Sequence, residues 1–435
     1  MSAVASRVRR RPPLVLRNPS FGRVWAGQLL TQAANRMFQA GAVWWLVGFA
    51  GGPHRGLDSG LFLMACTLPA VALAPVIARL VARHAHRTVL AAAATCAGAV
   101  AATATGLAQV GTLPTPAVYT VGLALAACQA VFDPCLTTSV PELVEDTDIE
   151  AATGFELSTQ SVAGLGGGLF GPLAVDAGGL PGTVAACAIG YLLAALLVAS
   201  VRFPHAAAPA PDGGSPRVDG PAPAPRGLRQ VLAGLPFIRR VLVCFAAANV
   251  FTTAVYVVMP LYTRSVLHAT GSTVASLEAA LGAGTLVGSF TGDRVPGRPV
   301  TVGSVCLAVL ATVLGLPGLV AGHAVALVAL GVAGWCVGVI GVRFVALFQR
   351  LVPAHDKPGF FAVMQALLGA TFPVSCLVFG VLGDHLPART LCLVQGAGLV
   401  PVAVALWFLG GRAETGGPRA PTTPSGPLEP AGERP

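Results

Sequence analysis

Few residues in this sequence could do chemistry, and the densest group of them is Gln32, Asn35, Arg36 and Gln39. Spacings of three and four residues put all four on one face of a helix. An arginine keeps its proton in any protein setting, so Arg36 can pair with a carboxylate of the chain or hold an anionic or polar substrate. A second set, Glu156, Gln160, Gly164 and Gly168, recurs every fourth residue. Carboxylate and amide share a face there, and the glycines admit a neighbouring helix closely. Glu156 is the carboxylate this pattern offers as a proton carrier; the alternative is a solvated glutamate at a helix start. Asp133 offers a structural contact with Arg79, Arg83 or the next helix, or else a coupling role. Arg343 falls near Asp133 in the repeat frame given below. Glu278 stands at the start of the eighth apolar segment, where it either caps the helix or takes part in coupling. Asn249 completes the set of substrate or coupling candidates. Trp44, Trp45, Tyr256 and Tyr262 suit packing or anchoring at a membrane interface, with stacking on a substrate as the other use.

Other chemistries find no footing. There is no GxxxxGK[ST] loop, so ATP does not drive the protein directly. A catalytic triad, a zinc signature and a haem motif are also missing, and an enzyme, a metal or a cofactor is not expected. The ten cysteines are scattered through apolar runs without a CxxC pair, the pattern of buried free thiols. A formal charge of +9 would suit a nucleic-acid binder, but its distribution along the chain argues against one.

The elements that must position these residues are membrane helices. Of 435 residues, 54% are hydrophobic and 10% charged, with mean hydropathy +0.74. Soluble domains carry about 25% charged residues, so a water-facing surface is excluded. No charged residue interrupts the chain between Arg87 and Asp133, or between Arg298 and Arg343 apart from His323. A crossing takes about 20 residues, so each stretch holds two. Backbone groups in hydrocarbon must pair within the segment, and continuous apolar runs select helices over a barrel. Twelve spans are predicted, near 24–50, 59–82, 88–110, 115–137, 154–176, 181–201, 241–263, 274–292, 299–317, 324–346, 360–384 and 389–410. The fold expected is all-α, with two pseudo-symmetric six-helix bundles.

Charge sets the orientation. With the N-terminus inside, only Arg55, Arg264 and Arg389 fall on the outer side, while the inner segments collect the remaining loop arginines and Lys357. The positive-inside rule then places both termini in the cytoplasm. One inner loop, with Glu142, Glu145, Asp146, Asp148 and Glu150, is acidic: either a solvated face or a gating contact with Arg79, Arg83 or Arg87. The domains expected are a basic N-terminus (1–23), a first bundle (24–201), a Pro/Ala/Gly-rich linker (202–240), a second bundle (241–410) and a disordered tail (411–435).

The halves repeat one another. A shift of 208 residues lays Leu143-Val144 on Leu351-Val352 and Asp176 on Asp384; between them, a shift of 205 aligns Gly154-Phe155 with Gly359-Phe360, Gln160 with Gln365, and Gly164 with Gly369. Parallel halves of six spans about an axis normal to the membrane are a transporter architecture with a cavity between them.

The chain resembles the major facilitator superfamily, in the exporter-like subgroup of siderophore, macrolide and multidrug efflux proteins. The residues that carry the resemblance are NPSFGRVWAGQLLTQAANRMFQAGAVWWLV from Asn18, FDPCLTTSVPELV from Phe132, ANVFTTAVYVVMPLYTRSV from Ala248 and LFQRLVPAHDKPGFFAVMQALLGA from Leu347. The resemblance implies a gating loop between spans two and three. Its glycine and its latching aspartate are alanine here, at Ala78 and Ala82, while Arg79, Arg83 and Arg87 remain; the second half keeps Asp293 and Arg294 with Gly297-Arg298. A carboxylate common in span one is absent, since Ala34-Asn35-Arg36 stands there. The glycine-rich antiporter-like stretch of span five survives in part, from Gly164 to Pro172.

The function expected is secondary export of a drug, antibiotic or siderophore-like metabolite by alternating access. Protons are the expected counter-ion, the lipid bilayer the surroundings, a bacterial-type inner membrane the location and a monomer the unit. The alternatives are an uncoupled facilitator and a transporter-like sensor. Protease-cleavable tags fused to the two ends should both resist protease added outside intact cells; cleavage of one tag alone would overturn the even span count.

Overall fold

The computed structural model describes residues 14–50, 52–111, 113–145, 148–203, 236–352 and 357–415. Most of the basic N-terminus, nearly all of the linker and the tail beyond 415 lie outside the described residues, as does Asp146 of the acidic loop. The described residues form helices and no strand.

A short turn, α1 (Leu14–Arg17), leads into α2 (Pro19–Gly48). Asn18 begins α2 for a local reason: its Oδ1 accepts from the Phe21 amide at 3.0 Å, and Pro19 follows where the missing N–H costs nothing. The Asn18 amide also donates to the Leu143 carbonyl at 2.8 Å, fixing α2 to the end of a later helix.

The predicted second span is two helices, α3 (Arg55–Ala72) and α4 (Ala74–Arg83), bent by 50°. Pro69 and Pro75 flank the break, and each removes a backbone donor. α5 (His86–Val110) and α6 (Thr115–Leu143) follow, each long and apolar enough to cross a membrane. The fifth and sixth spans form one element, α7 (Ile149–Ala199), reversed at Gly179, whose φ of 66° suits glycine. The reversal shows in the packing on α2. Phe155 meets Phe21 and Trp25 edge-on, and Gly171 lies beside Gly41, so the first arm runs parallel to α2. Gly41 also faces Thr183, and Gly27 faces Ala194 and Val198, so the second arm runs back.

The second half comprises α8 (Pro236–Thr253), α9 (Val255–Ser265), α10 (Gly271–Thr291), α11 (Pro299–Leu319), α12 (His323–Leu351), α13 (Lys357–His385) and α14 (Ala388–Thr415), with α8 and α9 forming one broken span. By length and hydropathy, nine helices among the described residues can cross a membrane, and the bent α3–α4 pair makes ten. The reversal divides α7 into two, and α2, whose Gln and Arg residues lower its hydropathy, completes twelve. Val71, Val110, Phe290, Val328 and Phe408 are exposed.

The internal repeat is real in three dimensions. Leu143 ends α6 and Leu351 ends α12, each with the following valine as C-cap. The halves meet where α3 packs on α13 and where α10 packs on α7. Exchanging the halves converts one contact into the other, because α3 corresponds to α10 and the first arm of α7 to α13. The α3–α13 contact depends on small residues. A Cβ at Gly56 would stand 2.6 Å from the Gly380 carbonyl, and one at Gly60 would overlap that of Cys376. Helices in lipid associate by such close packing.

The hydrogen bonds joining the halves cluster at the end away from the termini, at Gly56, Leu57, Gly271 and Arg264. At the end that carries the termini, Arg17–Asp148, His86–Glu142 and Arg87 to the Ala199 carbonyl all stay within the first half. Gly60→Val should lower the melting temperature of the solubilised protein by several degrees, on the scale of about 1–3 kcal/mol for overpacking. Gly106→Ala, with open space around it, should leave it unchanged or slightly raised; equal melting of both variants would overturn the interface.

Candidate transport site

Between the halves lies a cavity of about 400 Å³. α2 contributes Arg36 and Gln39; α7 contributes Gln160, Gly164 and Gly168; α8 contributes Asn249, Thr252 and Thr253. Tyr256 of α9, Glu278 and Thr285 of α10, and Phe372 of α13 close the ring, with Val43, Leu63, Leu281 and Leu314 among the apolar walls. A cavity mostly apolar, with a few polar groups aimed inward, suits a small organic molecule. A smaller space of about 150 Å³ adjoins it, lined by Gln32, Asn35, Arg36, Gln129, Asp133, Gln160 and Ala163. Arg36 and Gln160 belong to both.

Arg36 is the hinge of the arrangement. Helical spacing on α2 brings Gln32 and Asn35 to the smaller space, Gln39 to the larger, and Arg36 to each. Its guanidinium bears electrostatically on Asp133, Tyr256 and Glu278, yet it forms a direct ion pair with neither carboxylate. One permanent cation thus faces two acids, one in each half.

Asp133 is not held by Arg79 or Arg83. It accepts from the Gln32 amide at 3.1 Å and from Gln129 at 2.7 Å. Gln129 lies one turn earlier on the same face of α6, and that face looks onto α2 rather than the loop. Glu278 is not a helix cap. α10 starts at Gly271, two turns ahead of it, so the side chain is carried into the cavity. There it occupies the room left by Gly168: a Cβ on that glycine would overlap the Glu278 carboxylate.

The remaining candidates divide. Gln160 lines both cavities, but Glu156 lines neither, because its carboxylate accepts from the Thr137 hydroxyl and ties α7 to α6. Asn249 reaches the cavity wall while its amide donates to Thr371 at 2.7 Å and to the Leu368 carbonyl at 3.3 Å. Arg343 lies outside both cavities, and its Nε is buried without a hydrogen-bond partner among the described residues. Arg79, Arg83, Asp293 and Arg294 are exposed. Of the acidic loop, Glu142 pairs with His86 at 2.8 Å and Asp148 with Arg17 at 2.5 Å rather than with the gating arginines; Asp146 and the side chain of Glu150 lie outside the described residues.

Four polar lining residues are not among the sequence candidates. Thr252-Thr253 and the i, i+4 pair Thr285 and Ser289 mark a small polar face on otherwise apolar helices. Tyr256, offered by the sequence for packing, anchoring or stacking on a substrate, faces the cavity and stands against Phe372 at 6.0 Å. Trp44 is buried and donates to Asp176 at 2.8 Å.

Comparison with known proteins bears on the class. The chain matches the family model of the Major Facilitator Superfamily over residues 24–292. It is 20% identical to macrolide efflux protein A of Streptococcus pyogenes over 395 residues, 88% of this chain and 94% of that protein. Among solved structures, an auto-inhibited POT family peptide transporter superposes with a TM-score of 0.69 at 12% identity, covering 94% of this chain and 99% of the other. A bacterial homologue of the human lysosomal transporter Spinster, in an inward-facing and unoccupied conformation, gives 0.68 at 12% identity, covering 90% and 97%. At such identities these structures speak for the fold alone. With more than half of its length matched by the family model, and with twelve spans among its described residues in two related halves around a central cavity, the chain belongs to the Major Facilitator Superfamily.

Proposed function

We propose that the protein exports an amphipathic small molecule carrying a basic amine, by alternating access, with protons moving the opposite way. The observation that supports this most is the charge count around Arg36: one guanidinium facing the carboxylates of Asp133 and Glu278. An unneutralised carboxylate in the membrane interior costs several kcal/mol. A proton or a substrate ammonium can neutralise Glu278, and the two exclude each other at one carboxylate. That exclusion is the elementary requirement for exchange. Arg36, which the sequence offers to a carboxylate of the chain or to an anionic or polar substrate, serves here to offset the charge of the second carboxylate. A macrolide antibiotic with an amino sugar is the first compound to try, given the similarity to a macrolide efflux protein.

The working unit in this reading is a monomer in a bacterial inner membrane, with both termini cytoplasmic. Its 24–201 and 241–410 bundles rock about the cavity, the 1–23 and 411–435 ends flank them, and the 202–240 segment joins them. A potential of 100 mV supplies about 2.3 kcal/mol per charge moved, enough for about fiftyfold accumulation.

In proteoliposomes with an imposed pH gradient, Glu278→Gln should lose at least about tenfold of gradient-driven uptake of the amine. Glu156→Gln should keep most of it, since its carboxylate lies off the cavity. Gradient-dependent transport equal in wild type and Glu278→Gln would overturn the coupling role, and transport that persists after the gradient is collapsed would indicate a facilitator. The N-demethylated compound, a secondary amine that keeps its positive charge, and its N-acetyl derivative, a neutral amide, make the comparison: the amide should be transported at less than about a tenth of the amine's rate. Equal rates would refute the charge-based selection.

A further inference from the structure

The repeat also pairs Asp176 with Asp384, and neither lines the cavity. Asp176 stands just before the reversal in α7. Its carboxylate accepts from the amide of Gly271, the first residue of α10, at 2.5 Å, and from the Trp44 indole at 2.8 Å. Asp384 stands at the end of α13. It accepts from the amides of Gly56 and Leu57, the second and third residues of α3, at 2.8 and 3.3 Å, with His54 Nδ1 at 3.3 Å. Each aspartate therefore sits at the N-terminus of a helix in the opposite half. The first amides of a helix have no partner of their own and carry partial positive charge.

A helix ordinarily takes its cap from the residue that precedes it. Here it does not: neither His54 before α3 nor Thr270 before α10 makes a side-chain capping bond. Both helices are capped from across the interface. The close approach that permits this is set by Gly56 and Gly271, where a Cβ would stand 2.6 Å from the carbonyls of Gly380 and Pro172. We infer that Asp176 and Asp384 form a two-point latch, each capping a helix of the other half, that holds the transporter shut at the end away from its termini. Opening that end strips the caps from α3 and α10 together. The latch rests on the alternating-access part of the proposed function and is independent of substrate and proton.

The experiment is amide hydrogen exchange on the full-length protein in lipid nanodiscs, without substrate, for wild type, Asp176→Asn, Asp384→Asn and the double variant. Asparagine keeps the shape and removes the charge. Each single variant should speed exchange about fivefold, the scale on which one charge acts at a helix N-terminus, and the double variant about twenty-five-fold, since the two contacts share no partner. The decisive reading is remote: Asp176→Asn should speed exchange at Gly56 and Leu57, on the other contact, because one rigid-body opening releases both. A variant in which only the adjacent helix end exchanges faster, or none does, overturns the latch. Thr270→Asn, which offers α10 a cap of its own, should also speed exchange at Gly56 and Leu57 while the start of α10 stays protected. Protection unchanged at α3 in that variant would likewise count against the latch. Normal gradient-driven transport alongside a failed exchange test would sink the latch and leave the proposed function standing.

Discussion

A guanidinium cannot shed its proton, and within a membrane that single fact organises its surroundings. Arg36 stands in the middle of α2, where charge is costly, so polar groups must gather about it. Asn35 and the amides of Gln32, Gln39 and Gln160 share its two cavities, and carboxylates approach from both sides, Asp133 in the first half and Glu278 in the second. The rest of the interior is then free to be apolar. Glu278 further depends on Gly168, since any side chain there would take its place. The chemistry of the cavity thus reduces to one fixed charge, two acids of different halves, and the glycine that makes room.

The halves are joined by a second economy. In lipid no hydrophobic gain accrues from bringing apolar helices together, so contact between them must come from close packing and from polar groups without other partners. The α3–α13 and α10–α7 contacts use both. Glycines let backbones approach, and the amides of helix N-termini left uncapped by their own residues donate to carboxylates from across the interface. Resemblance to the family leads one to expect a latch in the loop between spans two and three. There the aspartate is replaced by Ala82, and the neighbouring arginines are exposed. The charge-to-helix contacts that join the two halves lie at the opposite end of the bundle.

Much of this was legible in one dimension. Hydropathy located the crossings, and the repeat correctly paired Leu143 with Leu351 and Asp176 with Asp384. The polar face of α2 followed from spacing alone. The misreadings share a cause. Glu156 and Gln160 have equal claims on a helical wheel, but only Gln160 reaches the cavity, because Thr137 on another helix engages Glu156. For Asp133 the sequence offers Arg79, Arg83 or the next helix, and the partners it meets are Gln129 of its own helix and Gln32 of α2. Glu278 passed for a cap because the start of α10 was placed three residues late.

What the sequence by itself determined was the solvent of each helix and the twofold kinship of the halves, since apolar length and internal similarity are properties of the chain alone. Which polar groups meet was decided only by the tertiary structure. A helical period says which residues share a face, but what that face looks upon depends on the rotation and depth at which helices from distant parts of the chain come to rest. Arg36 is the plain case: its position was evident from spacing, while the two acids it faces stand 97 and 242 residues away along the chain.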